Sequence, residues 1–164
     1  MSVVQRDRQF FNLETANTFG IIFDASDEAN YNRVSSFVRH IQSKNKIVKA
    51  IGFINYKLYP HYIMQKITFD YITLKDINQL MKPVSRHSLE FIQQDFDILI
   101  DFNLLRNPIL RYISGLSLAK FKIGRFDERD KEIFDFMIQG IEDQNTAVFA
   151  KEVLHYLEVL QPKN

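Results

Sequence analysis

The chain has 164 residues, of which 46% are hydrophobic and 25% are charged, a balance typical of a folded domain with a substantial core. Its formal net charge is only +1, so binding to nucleic acid or to an anionic membrane would need a local basic patch. The sequence contains no Cys, which excludes disulfides, thiolate catalysis and thiolate-bound zinc.

The first 17 residues are predicted to form an amino-terminal extension, followed by a single α/β domain over residues 18–161. Residues 1–12 lack the apolar segment of a signal peptide, and no later stretch approaches the roughly 20 apolar residues of a membrane helix. We therefore expect a cytoplasmic protein that does not associate with membranes.

The first predicted elements form a βαβ unit. Residues 18–24 are short and almost continuously apolar, which favours a strand buried on both faces. A helical stripe follows, made of Tyr31, Val34, Val38 and Ile41. The β-branched residues within 47–54 then predict the second strand.

The middle of the chain is less regular. The aromatic residues within 56–66 indicate either a loop folded over the sheet edge or an exposed surface that docks a partner. A short strand is predicted at 68–72, and residues 73–76 form a capping box that predicts a short helix ending before Pro83. A further short helix is expected near Ser88.

The second half alternates strands and helices again. The clearest strand covers 96–102, and Asn-Pro at 107–108 supplies an N-cap and a first-turn proline for the next helix. Further strands are predicted at 119–124 and 134–138, with a final helix from Thr146. About six strands alternating with helices predict a doubly wound, mostly parallel α/β sheet, which is a Rossmann-like three-layer sandwich.

In such a sheet, ligands bind beyond the carboxyl ends of the strands, where the strand order reverses. With the common order 3-2-1-4-5-6, the first and fourth strands flank that crevice. The predicted ligand-binding residues lie at these strand ends or nearby: Asp24, Ser26, Asp101, Asn103, Arg106 and Arg125, with Arg111 close by. The alternative is that the Asp and Asn side chains only satisfy loop amides and cap helices.

Several common chemistries lack their signatures. Residues 24–28 read Asp-Ala-Ser-Asp-Glu, a glycine-free and acidic turn that would repel a pyrophosphate. Ser114 has no Gly-x-Ser-x-Gly elbow, and no two His residues have metal-ligand spacing. Asp97 and Asp101 lie about 13 Å apart along one predicted strand, too far for a glycosidase pair. The sequence predicts no cofactor, no metal site and no catalytic residue.

Residues 96–101 and 119–125 resemble a family of short Bacteroidota proteins with a Rossmann-like fold and unknown function, and residues 20–24 and 49–53 are similar to the same family. More distantly, residues 97–124 resemble the amino-terminal domain of the heptosyltransferases of glycosyltransferase family 9. Those enzymes hold the nucleotide-sugar donor mainly in a second domain. This resemblance therefore implies a glycosyltransferase-like fold without a donor site.

Three functions stay open from the sequence. The favoured one is a non-catalytic binding or accessory domain that acts through a protein partner, because catalytic and cofactor signatures are missing beside a complete core pattern. The second is a small ligand-binding protein or enzyme that uses the crevice. The third is association with RNA or the ribosome through a patch at Lys120, Lys122 and Arg125. We expect no binding to DNA.

Overall fold

The computed structural model describes residues 4–162 and contains one sheet of six strands. These are β1 (Thr18–Asp24), β2 (Ile47–Phe53), β3 (Phe69–Ile72), β4 (Ile98–Asp101), β5 (Phe121–Arg125) and β6 (Phe136–Ile138). Their order is β3-β2-β1-β4-β5-β6, and every neighbouring pair is parallel. The predicted Rossmann-like α/β fold is confirmed, and the strands follow the common order assumed for locating the crevice.

Helices cover both faces of this sheet. They are α1 (Glu28–Ser43), α2 (Arg86–Gln93), α3 (Pro108–Leu116) and α4 (Thr146–Val159). The side chains of α1 and α4 pack with those of Phe19, Ile21 and Phe23 on one face of β1. On the other face, Ile22 packs with the side chains of α2 and α3. Because helices cover both faces of β1, nearly all of its residues are apolar.

The predicted capping box forms and opens a short helix that ends before Pro83, as expected. Asp76 accepts hydrogen bonds from the amide and the hydroxyl of Thr73, and a 3-10 helix covers only Leu74–Asp76. Ile77 then becomes extended and forms an antiparallel bridge with Pro83. The helix ends at Asp76 because Ile77 is extended, as the bridge with Pro83 requires.

The predicted amino-terminal extension packs on the fold over its described part. The Arg6 side chain is almost fully buried and forms an ion pair with Asp135 at 2.8 Å. The Gln9 amide donates to the carbonyl of Lys120, and the Leu13 amide donates to the carbonyl of Leu157. Within residues 4–162, no helix combines the length and the apolarity needed to cross a membrane.

The predicted basic patch does not form one surface, which corrects the basis of the RNA alternative. The Lys122 side chain is fully buried, and its Nζ donates to the carbonyl of Ser114 at 2.6 Å. Lys120 lies just before β5, is 25% exposed and pairs with Asp97 at 3.3 Å. The reason is that β5 lies inside the sheet, between β4 and β6, so that covering elements bury the face that the sequence pattern predicts to be partly solvated.

Candidate functional site

A cleft opens where the strand order reverses, between the carboxyl ends of β1 and β4. Its volume is about 200 Å³. Polar side chains from the end of β1, the first turns of α1, the loop after β4 and the start of α4 line it, chiefly Asp24, Asp27, Asn30, Arg33, Asn103 and Thr146. We call this cavity the switch-point cleft.

Asp24 anchors the wall of the cleft at the end of β1. Its Oδ1 accepts from the Ser26 amide at 2.8 Å, and its backbone carbonyl accepts from Asn30 Nδ2 at 2.6 Å. Asn30 Oδ1 in turn accepts from the Thr146 hydroxyl, which ties the start of α1 to the start of α4. Among residues 4–162, no donor bonds to Asp24 Oδ2, so that oxygen is open to a ligand.

The amino terminus of α1 is already capped inside the cleft. Asp27 Oδ2 accepts from the Asn30 amide at 2.8 Å and neutralises the helix end that binds pyrophosphate in dinucleotide-binding proteins. Two carboxylates, those of Asp24 and Asp27, face one guanidinium, that of Arg33. This lining disfavours a phosphate and favours ligands that donate hydrogen bonds.

Ser26 serves the turn after β1 and does not line the cleft. Its Oγ accepts from the Asn55 amide at 2.7 Å and lies 3.4 Å from the carbonyl of Phe53, to which it donates. The hydroxyl therefore joins the end of β1 to the end of β2. Of the sequence-predicted site residues, only Asp24 and Asn103 line the switch-point cleft.

Asn103 and Asp101 organise the loop after β4. The Asn103 side chain accepts from the Asn107 amide at 2.8 Å and donates to the Asn107 carbonyl at 2.9 Å. Asp101 accepts from the Asn103 amide at 2.6 Å and from the Ser114 hydroxyl at 2.5 Å. Both side chains are satisfied by local hydrogen-bond partners, in line with the alternative that they serve only to satisfy loop amides and cap helices.

Arg106 and Arg125 border a second, much smaller cavity together with Asp101 and Asn103. Its volume is about 20 Å³, which is room for about one water molecule. Arg106 pairs with Asp127 at 3.0 Å, and Arg125 pairs with Asp143 at 2.5 Å. The structure thus brings four of the six predicted residues around this cavity, where no small metabolite would fit.

A buried polar cluster lies beneath the small cavity, between the sheet and α3. Burial raises the pKa of the Asp101 carboxyl to about 6, against the opposing hydrogen bond from Ser114. Burial also lowers the pKa of the Lys122 amine to about 7, and the charge of Arg6 lowers it further. The two groups share Ser114, which donates its hydroxyl to one and accepts through its carbonyl from the other.

Most residues of the switch-point cleft are not evident from the sequence. Asp27 carried a signal as a helix N-cap, and Asn30 lies one turn along the same helix. Thr146 was predicted only as the start of the last helix and Gln144 carried no signal, because their place beside Asp24 depends on how α4 packs against α1. Among residues 4–162, no three His, Asp or Glu side chains lie close enough together to hold a metal ion.

The comparisons with known proteins identify a family but no activity. A family model with the description "Family of unknown function (DUF6913)" matches residues 2–160, which include residues 2–17 of the predicted amino-terminal extension. No curated protein matches the chain. The expectation of a family of unknown function is confirmed.

Proposed function

The chain belongs to this family of unknown function, and we propose that it binds a small polyol or amine in the switch-point cleft. The observation that carries this proposal is the open Oδ2 of Asp24 on the wall of a 200 Å³ cavity. Ligands of open α/β sheets bind at this position, where the strand order reverses.

Charge and size define the ligand. Hydroxyl and ammonium groups donate to carboxylates, and the cleft presents two carboxylates against one guanidinium. Phe102 and Leu105 add apolar surface for the carbon skeleton of a ligand. The cavity is smaller than the roughly 300–1,000 Å³ of sites for drug-sized molecules, which favours a ligand smaller than a nucleotide.

A thermal-shift screen tests this proposal. It compares monosaccharides, amino sugars, cyclitols and small amines with nucleotides and inorganic phosphate. The distant resemblance to glycosyltransferases stays a prediction and is the reason that sugars are included. A true ligand at 100 times its Kd should stabilise the protein by about 2.7 kcal/mol. Stabilisation by nucleotides alone would contradict the proposal.

Asp24→Asn is the decisive variant for any ligand found. Asn keeps an acceptor for the Ser26 amide, so the turn after β1 is retained, but the charge facing the cleft is lost. Affinity should fall about tenfold, because a hydrogen bond to a charged group contributes about 1.5–3 kcal/mol. Asp95→Asn is the matched control, since Asp95 is exposed and lies outside the cleft. Equal affinity in both variants would reject the site.

A second candidate function is docking of a protein partner at the edge of the sheet. Among residues 4–162, β3 pairs only with β2 and has one open edge. The segment that leads into β3 exposes large apolar side chains: Tyr56, Leu58, Met64 and Ile67. Ile67 is 97% exposed, and leaving this apolar side chain in contact with water is unfavourable in a protein that stays monomeric.

Paired variants separate this function from ligand binding. Leu58→Gln and Ile67→Gln should abolish recovery of a partner from the native lysate and leave the thermal response to cleft ligands unchanged. Val159→Gln is the control, because Val159 is 52% exposed at the end of α4. If Val159→Gln reduces recovery as much as the other two, the docking surface at β3 is rejected.

A further inference from the structure

A second polar site lies beside α3, apart from the switch-point cleft. It is an open groove lined by Arg106, Pro108, Arg111, Tyr112 and Arg129. Three of these five residues are arginines, and none carries a carboxylate. We call it the arginine groove. In a chain whose formal net charge is only +1, three guanidinium groups along one groove are a local concentration of positive charge.

The carboxylates that pair with these arginines lie behind them. The side chains of Asp127 and Asp130 are 21% and 8% exposed, whereas that of Arg129 is 68% exposed. Arg106 bonds to Asp130 at 3.0 Å, and Arg111 bonds to the same carboxylate at 2.7 Å. Asp127 receives hydrogen bonds from the Arg129 side chain and amide, which hold the pKa of its carboxyl well below the ordinary value. The buried Asp130 carboxylate therefore orients the guanidinium groups of Arg106 and Arg111, while Asp127 pairs with the more exposed Arg129.

Donor atoms remain available on all three guanidinium groups. The contacts with Asp127, Asp130 and the Arg129 carbonyl use only Nε and Nη2 atoms. Among residues 4–162, no acceptor bonds to Nη1 of Arg106, Arg111 or Arg129. Each of the three arginines that line the groove therefore keeps a free donor, and an anion with several terminal oxygens can accept from more than one of them.

The local charge favours an anion even after pairing. Three guanidinium groups against two carboxylates leave an excess of one positive charge. Lys82 adds another at the rim, with its Nζ 5.6 Å from the centre of the Tyr112 ring. Pro108 is the first residue of α3, so the positive end of that helix dipole adds to the same field.

We propose that the arginine groove binds the phosphate group of a small phosphorylated molecule. A phosphate monoester offers three terminal oxygens to the three Nη1 donors, whereas a carboxylate offers two. A small molecule fits better than RNA, because the positive excess is confined to one groove and RNA needs a row of phosphate contacts. The site is independent of the switch-point cleft, whose carboxylates select the opposite kind of ligand.

Titration with inorganic phosphate and pyrophosphate, followed by amide NMR at low salt, tests this site. Binding should saturate, shift the amide signals of residues 106–112 and 127–131, and weaken as salt is added. In Arg129→Gln the affinity should fall about tenfold, the loss expected for one charge-assisted hydrogen bond. Arg86→Gln removes an arginine that is 87% exposed and outside the groove, and it should leave the affinity unchanged.

A second variant separates geometry from charge. Arg111→Lys keeps the positive charge but loses the planar fork, so it should also weaken binding. Unchanged amide signals away from the groove show in each case that the fold is intact. Three results would overturn the proposal: no saturable shift with either anion, an equal loss in Arg129→Gln and Arg86→Gln, or Arg129-dependent binding of a single-stranded oligonucleotide without binding of pyrophosphate.

Discussion

Lys122→Met should remove a pH dependence of stability that the buried amine creates. Lys122 is fully buried, and among residues 4–162 its amine donates only to the Ser114 carbonyl. The charges of Arg6, Arg8, Asp101 and Asp135 also shift the pKa of this amine. Burial is the largest influence, and it lowers the pKa of the amine from 10.5 to about 7.

The direction of the effect follows from proton binding. Between pH 7 and 10.5 the unfolded chain keeps the Lys122 proton, whereas the folded protein has released it. Unfolding then takes up a proton, so raising the pH disfavours unfolding and the free energy of unfolding rises. The slope approaches about 1.4 kcal/mol per pH unit, which amounts to about 2 kcal/mol between pH 7 and 9.

Urea unfolding at intervals between pH 7 and 9 measures this rise. Met has a similar length and no charge, so in Lys122→Met the free energy of unfolding should lose the rise of about 2 kcal/mol. Lys120→Met is the matched control, because Lys120 keeps 25% of its side chain exposed in an ion pair with Asp97. Parallel curves for the wild type and Lys122→Met would refute the reasoning.

Three further substitutions probe the buried groups and the glycines. The pKa of Asp101 is raised from 3.8 to about 6, so its contribution to stability is present below pH 3.8 and is lost as the pH rises through 6. Urea unfolding of the wild type should therefore show a fall of about 2 kcal/mol between pH 4 and 6.5, and Asp101→Asn should flatten it. Gly20→Ala would place a Cβ 2.6 Å from the Phe96 ring and should cost about 1–3 kcal/mol in thermal unfolding. Gly140→Ala meets no atom within 4 Å but has a φ of +76°, so it should cost about 1 kcal/mol; unchanged stability in Gly20→Ala would contradict the role of the Phe96 contact.

Much of the fold was predictable because its signals are local. The apolar run of β1 and the caps at Asn107 and Thr73 each involve only residues that lie close together in the sequence. The strands also follow the common order 3-2-1-4-5-6 on which the expected site was based. The short helix after Thr73 also forms as predicted, and the bridge between Ile77 and Pro83 follows it.

The candidate site was only partly predictable. Asp24 and Asn103 follow from the rule that ligands bind at the reversal of strand order, and both line the cleft. Ser26 satisfied the same rule by position, but its hydroxyl is used by the Asn55 amide. The position of a residue in the sequence places it at a strand end. Its hydrogen-bond partners in the folded protein decide whether its side chain remains free to bind a ligand.

The sequence by itself determined the alternation of strands and helices, the parallel sheet and the edge where polar side chains gather, because periodicity and capping are properties of neighbouring residues. Only the tertiary structure decided that Lys122 is buried, that Thr146 meets Asn30, and that three arginines converge beside α3. Burial and charge pairing arise between segments distant along the chain. Their partners are set by how helices pack on the sheet, which no local pattern encodes.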